Sequence, residues 1–119
     1  MTIRVGGRFL KQRLTVVLVM LIGLIAFSPT ALAADTINGA QIFSAQCAAC
    51  HAGGGNIIRW GKNLKKRALS RNGWDSVEAI ASLVANGKNN MPAYKDRLNE
   101  QEIENVAAYV LEQAENDWH

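Results

Sequence analysis

Cys47-Ala48-Ala49-Cys50-His51 is the stretch on which the rest of the chain turns. Its spacing, Cys-x-x-Cys-His, is that of an attachment site for c-type haem. Two thiols three residues apart can form thioethers to the haem vinyl groups, and the adjacent imidazole can reach the iron from one side. Five residues thus predict a covalent cofactor, one axial ligand and oxidation–reduction chemistry. A dithiol redox site is one alternative, but its usual setting follows a strand in a βαβ pattern, whereas the flanks here are alanine-rich and helical in character. A zinc site needs about four ligands. Cys47, Cys50, His51 and His119 are the only Cys and His residues present, and that set rests on the last residue of the chain. A Cys47–Cys50 disulfide is the remaining alternative.

The amino-terminal sequence sets the expected compartment. Arg4, Arg8, Lys11 and Arg13 precede an apolar run over residues 14–27, with no acid among them. Ser28-Pro29-Thr30 breaks the run, and Ala31-Leu32-Ala33 offers a small-x-small cleavage site. This is the three-part layout of a secretory signal peptide, and the run is short for a membrane span, which takes ~20 residues. The reading is a signal peptide over residues 1–33 and one small domain over residues 34–119, with an uncleaved anchor as the alternative. No adjacent Arg-Arg pair is present, which favours the general export route over the twin-arginine one. A chain this short has limited apolar core of its own, and a buried haem would add to it.

The formal charge of +3 belongs to the whole chain. Four of its 13 basic residues fall before residue 34 and none of its 10 acids does, so the domain carries about −1. A nucleic-acid partner is not suggested. The charge is uneven, with Arg59, Lys62, Lys65, Lys66, Arg67 and Arg71 in one block and six acids from Glu100 to Asp117 in another. That polarity suits either orientation on a partner or two solvated helix faces.

Strand signals are absent, and the domain reads as all-α, about four helices around a loop-rich middle. Asn38 is the expected cap of a first helix running to about Ala49, with Gly39, Phe43 and Cys47 on one face. The glycine-rich stretch 52–56 should interrupt it. Residues 63–71 form a short basic helix. Asp75 or Ser76 caps a third, carrying Val77, Ile80, Ala81 and Val84, which Asn86-Gly87 ends with a left-handed stop. The last helix has Asn99 and Glu102 in capping-box positions and an apolar stripe of Ile103, Val106, Ala107, Val110, Leu111 and Ala114. The Gly39/Phe43 face is its obvious partner, with Gly39 allowing the backbones to approach.

A six-coordinate haem needs a ligand opposite His51. Of three methionines, Met1 and Met20 lie in the leader and Met91 remains. It sits in Asn89-Asn90-Met91-Pro92-Ala93-Tyr94, where Pro92 restricts the backbone and helps hold a weak thioether. His119 is terminal, Lys88 would first have to lose a proton, and a gap-filling core methionine is the plain alternative. His/Met ligation favours the ferrous state and raises the reduction potential. With both axial positions filled, the iron suits an electron carrier and not an enzyme. A haem ligand sensor or peroxidase-like protein would need an open iron site and a distal acid or base, and no distal histidine is available between His51 and His119.

These residues resemble the class I c-type cytochromes, and more narrowly cytochrome c6. The resemblance covers nearly all of residues 34–119. It is carried by Phe43 through Gly54, by Asn86-Gly87-Lys88, by Met91 through Leu98, by Val106 through Ala114, and by Trp118. It implies the small cytochrome c fold, with first and last helices crossed around one covalent haem c. It implies Cys47 and Cys50 as thioether positions and His51 and Met91 as iron ligands. It further implies a monomeric carrier in the thylakoid lumen of a cyanobacterium or alga (or in the periplasm), not membrane-embedded after cleavage, and the bacterial-type signal fits a cyanobacterium better. Such a carrier takes electrons in photosynthesis from the cytochrome b6f complex to photosystem I, or to a terminal oxidase. One departure stands out. Leu83 occupies the position where the family pattern has a glutamine that sits by the haem and holds the potential high. An apolar residue there is typical of lower-potential c6-like branches, and a low-potential or respiratory periplasmic carrier is the alternative. Trp60 and Trp74 depart from the pattern as well. Arg97 matches a basic residue of the family's docking face, or is an ordinary ion-pair partner, and Tyr94 is expected against the haem edge.

Overall fold

The computed structural model describes residues 7–25 and 33–119. The chain divides into two compact units, Met1–Leu32 and Ala33–His119. In the first, α1 spans Gly7–Ile25. No helix among the described residues is long and apolar enough to cross a membrane. Ala31 and Leu32 of the expected cleavage site lie outside the described residues.

The second unit is helical, with α2 (Thr36–Gln46), α3 (Ala48–His51), α4 (Lys66–Arg71), α5 (Val77–Asn86) and α6 (Glu100–Glu115). Short 3-10 turns fall at Ala52–Gly54 and Trp60–Lys62. The all-α expectation holds: among the described residues no strand forms, and the one isolated bridge joins Lys88 to Met91.

The start of α2 corrects the sequence reading. Asp35, not Asn38, is the cap, its carboxylate accepting from the backbone N–H groups of Ile37 and Asn38 at 3.0 Å each. Asn38 is drawn away by a tertiary partner: its side-chain oxygen accepts from Asn105 Nδ2 on α6 at 3.0 Å. The helix also stops at Gln46 and not near Ala49: at Cys47 the turn is distorted, with φ of −116° and ψ of −34°, and α3 restarts beyond it. The basic helix is shorter than residues 63–71, beginning at Lys66. Ser76 caps α5 by accepting from Ala79 N–H at 3.1 Å. Gly87 ends α5 with a positive φ of 66°, but its ψ of 174° is extended rather than left-handed helical. Only glycine adopts that combination freely.

α6 follows the sequence closely. Asn99 and Glu102 exchange both bonds of the capping box, at 2.9 and 2.8 Å. Asn99→Ala is therefore expected to destabilise the domain by about 1 kcal/mol, read as a lower denaturant midpoint at unchanged slope. Ile103, Val106, Ala107, Val110 and Ala114 are buried, and Leu111 lies at the edge of the same cluster. The stripe meets α2 and α5. Gly39 is the contact point with α2: a Cβ there would lie 2.2 Å from the Asn105 backbone oxygen. Phe43 packs beside it in an aromatic group with Tyr109 and Trp118, at centroid distances of 5.4 and 5.1 Å. Trp118 donates its indole N–H to the Leu64 carbonyl at 3.0 Å, tying the carboxyl end to the loop after the Cys-x-x-Cys-His motif.

Candidate functional site

The crossed helices leave a cleft of about 320 Å³ on one side of the core. Cys47, Cys50 and His51, at the α2–α3 bend, form one part of its wall, and Met91, 40 residues on, forms another. All four sequence-predicted site residues thus line one cavity. Between them the wall is apolar, from Phe43, Leu69, Ile80, Val84, Val106 and Val110. Tyr94 and Leu83 line it too, as does Trp74. Trp60 lies outside it and is almost fully exposed, at 95%. His119 is exposed, and among the described residues no group of three or more His, Cys, Asp or Glu could hold a metal ion.

Both cysteines are half-buried and no disulfide joins them. Burial pushes the Cys47 thiol up to about 11 from its ordinary 9.0, with the neighbouring Cys50 adding to the rise.

His51 is oriented by one contact. Its Nδ1 lies 2.8 Å from the Gly55 carbonyl oxygen. A carbonyl only accepts, so Nδ1 carries the proton and the lone pair stays on Nε2. That is the usual way a ligating imidazole has its tautomer and ring plane fixed. The turn that follows the motif therefore supplies the orienting group, which the spacing of the motif alone does not reveal.

Met91 is held by its backbone. Its N–H donates to the Lys88 carbonyl and its own carbonyl accepts from Lys88 N–H, both at 3.0 Å. Asn89 turns the chain between them with φ of 54°, a region asparagine tolerates. Gly87 fits beneath this turn, since a Cβ there would lie 2.6 Å from the Met91 oxygen. The neighbouring Tyr94 is buried and donates its hydroxyl to the Gln46 carbonyl at 3.0 Å, linking the methionine loop to the end of α2. Arg97 stacks over the Tyr94 ring at 5.5 Å.

Burial raises the Tyr94 phenol above its ordinary value, opposed by the Arg97 guanidinium. The folded phenol holds its proton more tightly than the unfolded one. Its contribution is complete below pH 10.0 and is lost as the pH rises through the folded value. Tyr94→Phe is expected to cost about 1 kcal/mol near neutrality and to flatten the alkaline fall in stability. Denaturant midpoints at several pH values check both.

The residues fit a haem. An apolar-walled cleft meets two cysteines three residues apart, an imidazole with its outer nitrogen free, and a thioether on a pinned loop. This fold and cleft are those of a small c-type haem protein. The family model described as "Cytochrome C oxidase, cbb3-type, subunit III" matches residues 34–110. A cytochrome c6-like protein of Nostoc sp. is 60% identical over 110 residues, covering 92% of this chain and 99% of the relative. The crystal structure of cytochrome c6 from the diatom Phaeodactylum tricornutum superposes with a TM-score of 0.69 at 52% identity, covering 71% of this chain and 99% of that one. That of cytochrome c6C from a Synechococcus species gives 0.67 at 62% identity, covering 68% and 99%. The chain belongs to the cytochrome c6 family and carries covalently bound haem c.

Proposed function

We propose that this haem electron carrier takes single electrons from the cytochrome b6f complex to photosystem I in the thylakoid lumen. In this reading residues 1–33 are a cleaved signal peptide, and the haem is held by Cys47 and Cys50 through thioethers and by His51 and Met91 as axial ligands. When bound, the haem supplies an iron that alternates between ferric and ferrous states. The observation that carries the reading is the shared cleft: Nε2 of His51 is left free by the Gly55 contact, and Met91 is pinned by Lys88. A fixed imidazole and a fixed thioether need little movement between oxidation states, which suits fast transfer. The apolar walls exclude water, which disfavours the charged ferric state. Support for the leader comes from the unit boundary between Leu32 and Ala33 and from the family match beginning at residue 34.

Leu83 on the cleft wall favours the second reading, a low-potential or respiratory carrier with another acceptor. It offers no polar group where an amide would stand in the family pattern. A redox titration of the holoprotein followed by visible absorbance separates the two. A one-electron wave at the potential of the plastocyanin-type carriers supports the photosystem route. A midpoint lower by roughly 120 mV shifts the exchange about a hundredfold, at 59 mV per tenfold, and points to the other acceptor.

A further inference from the structure

Trp74 is half-buried in the cleft wall, between two lysines from separate parts of the chain. Lys62 Nζ lies 5.2 Å and Lys88 Nζ 5.7 Å from the centroid of its ring. An ammonium within about 6 Å of an indole is drawn to the electron-rich face. Both lysines line the same cleft. No carboxylate neutralises either: among the described residues the ion pair is Lys66–Glu115, on α4 and α6. Lys62 is fixed further by donating to the Asn72 side-chain oxygen. The backbone of Lys88 is held by its two bonds to Met91, and its exposed ammonium reaches back to the Trp74 ring. One indole therefore gathers two positive charges that no described side-chain carboxylate pairs with, on one wall of the site.

Taking up an electron lowers the charge of the site by one. Fixed positive charge nearby favours that change, and more strongly beside a low-dielectric wall than in open water. We propose that Trp74 is a positioning residue that holds the ammonium groups of Lys62 and Lys88 on the cleft wall, where their charges raise the reduction potential. The proposal rests on the reading that the haem occupies this cleft.

The test is the midpoint potential of the holoprotein at low and high salt. Lys62→Gln and Lys88→Gln are each expected to shift the reduction equilibrium about tenfold toward the oxidised form, a fall of about 59 mV. Trp74→Leu keeps both charges but frees them, and is expected to give a fall of the same sign. Trp74→Phe retains an aromatic face and restores most of the potential. Lys66→Gln removes the same charge outside the cleft and is expected to change the equilibrium less than about twofold. Added salt lowers the native potential toward that of the Lys62→Gln/Lys88→Gln double variant, because screening removes what the lysines contribute. The proposal is overturned if the two glutamine variants match the native potential at low salt, or if Trp74→Leu does while both lysine variants fall. If Trp74→Leu fails to load haem, the Trp74→Phe and lysine variants carry the decision. A native protein with no reversible haem wave at all would instead overturn the cleft reading itself.

Discussion

Met91→Ala is expected to lower the midpoint potential by at least about 0.1 V, roughly fiftyfold in the reduction equilibrium at 59 mV per tenfold. Axial ligation sets haem potentials over a range of about 0.8 V, and the thioether is the ligand that favours the ferrous state. If Met91 is the ligand proposed, the same variant should bind carbon monoxide rapidly when reduced, because the position opposite His51 would then be open. Met91→His separates the two effects. It refills the position with a harder ligand, so the potential should stay low while rapid carbon monoxide binding disappears. The paired bonds between Lys88 and Met91 keep the loop in place in either variant, since they belong to the backbone. A Met91→Ala protein with native spectrum and potential would mean that another group faces His51.

Gly39→Ala has the largest expected effect on stability. The added Cβ would stand 2.2 Å from the Asn105 oxygen, 2.7 Å from its carbonyl carbon and 2.9 Å from Tyr109 Cβ. Two of these atoms are backbone, so no side-chain rotation relieves the contact. The helices α2 and α6 must separate, which also disturbs the Asp35 and Asn38 bonds to Asn105, at 2.9 and 3.0 Å. A loss of about 3 kcal/mol, near the top of the usual range for overpacking, would lower the thermal midpoint by roughly 10–20 °C in a domain of this size. Guanidinium unfolding of the holoprotein measures it. A change under about 0.5 kcal/mol would show that the crossing is looser than the structure has it.

What was legible in the sequence was what local chemistry decides. The Cys47–His51 spacing, the Asn99/Glu102 capping box and the apolar stripe of α6 each need only near neighbours to be read. Gly39 was legible because only the smallest residue suits a helix crossing. Met91 could be singled out as the candidate ligand because the other two methionines, Met1 and Met20, precede residue 34. The rest depended on partners far along the chain. Asn38 looks like a cap until Asn105 takes its side chain, and Asp35 then serves in its place. The Gly55 carbonyl that sets the His51 tautomer, and the turn pairing Lys88 with Met91, are backbone contacts that no side-chain pattern encodes. Trp74 marked a departure from the family pattern, but its two lysines are 12 and 14 residues away on opposite sides, and only the folded chain brings them to one ring.

The most direct measurement is the intact mass of the purified protein after denaturation and treatment with a thiol-alkylating reagent. The account predicts a chain beginning at Ala34 with one haem still attached and no alkyl group added, because both Cys47 and Cys50 are consumed as thioethers. A haem-free chain with two alkylated cysteines, or with a Cys47–Cys50 disulfide, would contradict it.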